Sequence, residues 1–231
     1  MDGDRTDWVR AELENAIGAR YEILELHGQG GMGMVFCARD RILERLVAIK
    51  VLTPGARMTA DARARFQREA RHNAAVSHPS IVPVIELGET REFPYIVMEF
   101  VKGEPLGRKL RHEGRLSADV TRRILLDLSD ALDYAHRHGI IHRDIKPENV
   151  LIRDDSGRAM LADFGIAKAL NDGKHLTQSG VAIGTPEYMS PEQAAGDRNL
   201  DHRSDLYSLG ALGYTMLCGR HLTRGMGSET S

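Results

Sequence analysis

The stretch "IIHRDIKPENVLI" (residues 140–152) places Asp144, Lys146 and Asn149 in one short loop between an apolar helix pattern and an apolar strand pattern. Farther on, "LADFGIA" (161–167) sets Asp163 directly after another short strand. Two oxygen-bearing side chains, Asn149 and Asp163, brought together by a strand pair suit Mg²⁺, which takes few protein oxygens and completes its shell with phosphate and water. The carboxylate of Asp144 then remains for a substrate hydroxyl, where it can act as a base.

A second candidate lies near the start of the chain. "HGQGGMGMVF" (27–36) brings together Gly28, Gly30, Gly31 and Gly33. A dinucleotide-binding fold needs such a run to close a strand and open a helix, with an acidic residue about 20 positions on. Here the alternating "MVFCARD" follows, and no helix pattern begins until residue 59. A hairpin folded over phosphates fits better, because glycine lets the backbone turn tightly and approach a ligand without a side chain between. Taken alone, the run is equally a glycine-rich hairpin with no ligand. "VAIK" then puts Lys50 on the next strand, within reach of phosphates under that hairpin, although an exposed strand lysine is the default for this tetrapeptide by itself.

The elements that must position these groups follow from periodicity. Trp8, Val9, Leu13 and Ile17 recur at helical spacing in a short amphipathic helix. From Tyr21 onward the pattern reads as strands at 21–27, 34–39 and 46–52, an Ala- and Arg-rich helix at 59–76, and strands near 81–87 and 94–99. After "VKGEPL" the pattern turns helical, with Ser117 as N-cap and Val120, Ile124, Leu128, Leu132 and Ala135 on one face. A small, mostly β unit therefore precedes a larger helical one. The segment 163–190 is longer than an ordinary connector and is the expected regulated element.

Composition narrows the classes. With 42% hydrophobic and 28% charged residues, the 231-residue chain reads as one large globular domain or two lobes. A formal net charge of −2 gives no basic field for nucleic acid or an anionic membrane, so neither is expected as a partner. No stretch approaches the roughly 20 apolar residues of a membrane span, and the covered chain is expected to be cytoplasmic. Cys37 and Cys218 stand far apart, outside any CxxC pair, and read as two half-buried thiols in a reducing compartment. The histidines, His136 and His138 among them, form no zinc spacing.

In their order and spacing, the glycine run, "VAIK", "HRDIKPEN" and "DFG" resemble the eukaryotic-like (Hanks-type) serine/threonine protein kinase family, bacterial branch, from about Arg20 to about Arg220. The resemblance implies an α+β, two-lobed protein-kinase-like fold. Its expected parts are an N-terminal extension at 1–19, an N-lobe at 20–98, a hinge at 99–103, an incomplete C-lobe at 104–220 and a polar tail at 221–231. It implies that Gly28, Gly30, Gly31 and Gly33 cover the phosphates of ATP. Val35, Ala48 and Leu151 sandwich the adenine, Met98 is the gatekeeper, and backbone groups of Glu99 and Val101 bond the base. Lys50 contacts the α- and β-phosphates and pairs with Glu69 in "RFQREAR". Asp144 is the base, Lys146 steadies the transferring phosphoryl group, and Asn149 and Asp163 hold Mg²⁺, with Mn²⁺ as the alternative ion.

The same resemblance implies activation-segment phosphorylation at Thr177 and Ser179, with Arg143 to receive the phosphate. Thr185 reads as a structural contact of Asp144 and Lys146, and "SPE" with Glu192 replaces the usual "APE". His142 reads as a loop-packing residue. Asp205, in "DHRSDLYSLG", is expected to hold the catalytic loop backbone from beneath or to serve as an N-cap. In the family, Glu192 pairs with an arginine in later helices; that arginine and those helices are expected to be absent here, leaving apolar surface on "SDLYSLGALGYTMLCG" and favouring self-association. The expected partners are ATP and a protein substrate. The expected activity is transfer of the ATP γ-phosphoryl group to protein Ser/Thr hydroxyls, with a truncated, non-catalytic nucleotide-binding remnant or scaffold as the alternative.

Overall fold

Alternating apolar residues build an antiparallel sheet in the first part of the chain. In the computed structural model, which describes residues 2–30, 33–52, 76–164, 186–197 and 199–222, helix α1 (Asp2–Ile17) precedes five strands. These are β1 (Tyr21–Gly30), β2 (Gly33–Asp40), β3 (Arg45–Leu52), β4 (Val84–Glu89) and β5 (Pro94–Glu99), in spatial order β1-β2-β3-β5-β4. The register sorts the side chains into two faces, because residues paired across neighbouring strands point the same way. Val35 pairs with Lys50, Cys37 with Ala48 and Ala48 with Met98, so these residues share one face. Phe36, Ala38, Val47, Ile49, Val51, Tyr95 and Val97 alternate with them and form one apolar cluster.

Helix α1 completes that cluster. Val9 and Leu13 are fully buried in it, the Trp8 ring stands edge-on to Phe93 at 5.8 Å, and Arg10 Nη2 donates to the Ile23 carbonyl at 2.9 Å. The amphipathic helix expected from Trp8, Val9, Leu13 and Ile17 is present, and it begins earlier than its apolar residues suggested.

The rest of the chain forms a second compact unit, made of Val76–Val82 and most residues from Val101 on. Its strands β6 (Gly103–Pro105), β7 (Val150–Arg153) and β8 (Ala159–Leu161) make a small antiparallel sheet. Its helices are α2 (Leu106–Glu113), α3 (Ala118–Arg137), the one-turn α4 (Pro191–Ala194) and α5 (His202–Cys218). Ser117 caps α3 by accepting from Val120 N at 3.3 Å, as its sequence position predicts. Ile124, Leu128, Leu132 and Ala135 line its buried face beside Leu209, Leu212 and Met216 of α5. Asp127 Oδ2 accepts from Ala159 N at 2.9 Å and ties α3 to β8.

Several expectations are corrected. The fourth strand begins at Val84 rather than 81: Ile81 and Val82 instead bridge to Leu161 of β8, and Pro83, without an N–H, interrupts the run. Strand β1 continues through the first glycines to Gly30. The thiols are not half-buried: Cys37 is buried and Cys218 exposed. The N-cap of α5 is Asp201, not Asp205. On α5, Leu206 and Leu217 are exposed. Among the described residues no helix is long and apolar enough to cross a membrane. Gly31, Glu69, Thr177, Ser179, Thr185 and nearly all of the helix expected over 59–76 lie outside the described residues.

Because Leu13 is fully buried against the sheet, Leu13→Ala should lower the free energy of unfolding by about 2–4 kcal/mol, the usual cost of a buried Leu→Ala cavity. Urea denaturation followed by fluorescence checks this. A loss under ~0.5 kcal/mol, as at surface sites, would show that α1 does not share the core.

Candidate active site

The loop between α3 and β7 gathers polar groups on one carboxylate. Lys146 Nζ donates to Asp144 Oδ2 at 2.8 Å, and Asn149 Nδ2 donates to the same oxygen at 2.9 Å. Asn149 Nδ2 also donates to the Asp144 carbonyl at 2.7 Å. Its amide nitrogen is thus committed to Asp144, and its oxygen is the atom that could meet a cation. A one-turn 3₁₀ helix (Pro147–Asn149) creates this geometry, with proline at its first position and Asn149 N bonded to the Lys146 carbonyl at 3.0 Å. The Asn149 carbonyl in turn accepts from Ala162 N at 2.9 Å. Asp163, the next residue, has the left-handed φ of 64°.

The backbone that leads into Asp144 is held from α5. Asp205, 1% exposed, accepts from His142 N through Oδ2 and from Arg143 N through Oδ1, both at 2.8 Å. His136 Nε2, near the end of α3, lies 2.8 Å from the same Oδ2. Burial works to raise the Asp205 pKa, but these hydrogen bonds outweigh it and hold the carboxyl below the ordinary aspartate value. Arg143 sits at φ 65°, a conformation that costs a non-glycine residue about 1–3 kcal/mol and persists only where neighbours over-determine it. Gln193 Nε2 supplies a further restraint, donating to the Arg143 carbonyl at 2.8 Å.

His142 is the inner prop of the loop. Its Nδ1 accepts from Asp144 N at 3.2 Å, so Nε2 carries the proton and donates to the Ala162 carbonyl at 2.9 Å. Burial pushes its pKa below the ordinary histidine value, in keeping with a neutral ring. The ring also stacks at a tilt on Phe164, 4.6 Å between centroids. The packing role expected for His142 is therefore joined by two specific hydrogen bonds.

In the first unit, Val35, Ala48, Lys50 and Met98 share the sheet face opposite the α1 cluster. Lys50 is 5% exposed, unlike an ordinary strand lysine. Gly33 has φ 131°, and a Cβ there would collide with the Val51 carbonyl, so the sheet itself requires glycine at that position. At Gly28 and Gly30 an added Cβ would meet no described atom within 4 Å. Glu99 ends β5 with its N–H on the Pro83 carbonyl at 3.0 Å. In the second unit Val101 is buried and Leu151 lies on β7 opposite Met160.

Two residues of the loop's support have no counterpart in the sequence reading. His136 is 69 positions from Asp205, and no local pattern announces the pair. For Gln193 a local signal existed: Ser190 and Gln193 form a capping box, a Ser-x-x-Gln spacing readable from sequence. Glu192, expected to need an arginine, accepts instead from Ser204 Oγ at 2.7 Å.

The chain thus joins a glycine-rich strand pair on a five-stranded antiparallel sheet to a later helical unit that presents an Asp–Lys–Asn loop. The family profile for the protein kinase domain matches residues 21–231, and the chain belongs to that family. Helix α1 precedes the matched region. The chain is similar to a probable serine/threonine-protein kinase of Streptomyces coelicolor, 45% identical over 215 residues, covering 90% of this chain and 32% of the relative. It is likewise similar to the serine/threonine-protein kinase PknB of Mycolicibacterium smegmatis, 44% identical over 205 residues, with 87% and 32% coverage. It thus spans about a third of the length of these relatives. Among solved structures, Rad53 1-466 in complex with AMP-PNP matches with a TM-score of 0.71 and 30% identity, over 89% of this chain and 50% of that one.

Asp205→Asn should destabilise the protein by about 2–4 kcal/mol, since a charged acceptor of several buried donors is lost. The folded carboxyl has the lower pKa, so ionised Asp205 contributes stability in full above the unfolded value of about 4. That contribution is lost as pH falls through the folded value. Urea melts from pH 7 to pH 3 should therefore show a wild-type advantage over Asp205→Asn that shrinks below about pH 4. An advantage independent of pH would contradict this role.

Proposed function

We propose that the chain is a Mg-ATP-dependent serine/threonine protein kinase that works in the cytoplasm. The observation that carries this reading is the Asp144 carboxylate, bonded by Lys146 and Asn149 on a loop whose backbone Asp205 holds. The names of the relatives and the AMP-PNP in the Rad53 complex support it.

In this reading Gly28, Gly30, Gly31 and Gly33 cover the triphosphate. The open space at Gly28 and Gly30 supports that role, because nothing described in the chain itself demands glycine there. Lys50 neutralises the α- and β-phosphates and is itself oriented by Glu69. Val35, Ala48 and Leu151 enclose the adenine, Met98 limits the depth of its pocket, and backbone groups of Glu99 and Val101 bond its edge. Asn149 and Asp163 offer the hard oxygens that Mg²⁺ or Mn²⁺ prefers, and the commitment of Asn149 Nδ2 to Asp144 supports its oxygen as a ligand atom. When bound, the ion supplies neutralisation of phosphate charge.

Asp144 orients the substrate hydroxyl and takes its proton as the oxygen attacks the γ-phosphorus and the bond to the β-phosphate oxygen breaks. Lys146 places a cation beside that carboxylate and stabilises the transferring group. A phosphate on Thr177 or Ser179 pairs with Arg143 and so acts on the residue that precedes the base.

Phosphotransfer from radiolabelled Mg-ATP to a Ser/Thr peptide tests this reading. Asp144→Asn should slow turnover by about 10²–10⁴-fold, the usual contribution of a general base. Lys50→Met and Asp163→Asn should also fall to background. A wild-type signal no higher than that of these variants would refute kinase activity. Mass spectrometry after incubation with Mg-ATP should find phosphate at Thr177 or Ser179, and its absence from both would remove the phosphorylation part of the reading.

A further inference from the structure

Gln193 makes a bond that its position in the helix does not require. It stands at the third position of α4, where its Oε1 accepts from Ser190 N at 3.1 Å and its own N–H donates to Ser190 Oγ at 3.4 Å. This reciprocal box needs only an acceptor on the side chain, and a glutamate would serve it as well while favouring the helix N-terminus electrostatically. What glutamate cannot do is donate. The Nε2 of Gln193 donates to the Arg143 carbonyl at 2.8 Å, 50 positions away in sequence.

The peptide held by this bond is the one that joins Arg143 to Asp144. Its carbonyl is fixed by Gln193 and its N–H, on Asp144, by His142 Nδ1. The preceding peptide is fixed through Arg143 N by Asp205. Arg143 is left-handed, so relaxation toward ordinary φ would rotate this peptide and carry Asp144 with it. Gln193 restrains that plane from the stretch that follows residues 165–185. That region is itself anchored: Ser190 is fully buried, and Ser208 Oγ donates to the Tyr188 carbonyl at 2.7 Å.

We infer that Gln193 is a positioning residue for Asp144, acting through the Arg143 carbonyl and coupling the end of the activation segment to the base. The inference rests on the kinase reading above. It explains why an amide rather than a carboxylate completes the capping box.

The discriminating variant is Gln193→Glu in the full chain. It keeps the acceptor for Ser190 N but removes the donor and sets a carboxylate oxygen against the Arg143 carbonyl. With Mg-ATP and a Ser/Thr peptide, kcat should fall by about tenfold to a hundredfold, the effect of a small misplacement of a reacting group, with KM for ATP unchanged. The thermal midpoint should fall less than in Ser190→Ala, because the box survives. Ser190→Ala should show the reverse pattern, a lowered midpoint with kcat nearly retained. Hydrogen exchange of peptides covering residues 141–146, measured without nucleotide, should rise in Gln193→Glu. Wild-type kcat together with unchanged exchange in Gln193→Glu would overturn the inference, as would a kcat loss matched by a loss of folded protein. A wild-type chain without phosphotransfer would instead refute the kinase reading, and the exchange experiment would still decide whether Gln193 restrains the loop.

Discussion

The second unit depends on one buried carboxylate. Asp205 accepts from two consecutive backbone N–H groups, of His142 and Arg143, and lies against His136 Nε2. Without it, the buried His142 N–H would lack its partner, at a cost of about 1–3 kcal/mol, and the part-buried Arg143 N–H would lose its own. Nothing local could replace it, since a left-handed Arg143 prevents the loop from pairing its own backbone as a helix or strand would. The surrounding elements answer to this requirement. Helix α5 begins just after its N-cap Asp201, so that Asp205 falls buried in its first turn, and α3 runs far enough to bring His136 to the same oxygen.

Once that backbone is fixed, the chemistry of the loop follows from short-range contacts. Lys146 and Asn149 reach Asp144 because the 3₁₀ turn at Pro147–Asn149 folds them back on it. His142, neutral and buried, passes the restraint on to Ala162, the residue before Asp163. Asp144 and Asn149 are thereby held by main-chain and side-chain bonds, with the residue before Asp163 tied to the same loop, the kind of preorganisation that the proposed phosphoryl transfer requires. The first unit reaches a similar end by different means. There the two-residue period of the strands separates an apolar face, covered by α1, from a face bearing Val35, Ala48, Lys50 and Met98.

Periodicity made much of this readable. The repeat from Val120 to Ala135 and the Ser117 cap revealed α3, and the alternation after the glycines distinguished a hairpin from a dinucleotide turn. The loop residues were legible because their types and order are dictated by chemistry. What stayed hidden were bonds between distant residues. The contacts of His136 with Asp205 and of Gln193 with Arg143 join positions 69 and 50 apart, and side-chain bonds of that kind leave no period. The N-cap reading of Asp205 missed because an aspartate suits either place, and only the structure shows that Asp205 is buried inside the first turn while Asp201 caps it. Strand β4 was placed too early because Ile81 and Val82 have strand-like side chains but pair in the other unit.

In the proposed kinase reaction, Asp205 serves catalysis by holding the backbone that presents Asp144. A double-mutant cycle in single-turnover phosphotransfer measures this directly, with Asp144→Asn, Asp205→Asn and the pair compared at equal folded concentration. If Asp205 acts through Asp144, each single change slows the reaction and the double variant is no slower than Asp144→Asn alone. If the two losses multiply in full, Asp205 acts independently of the base and the account is wrong.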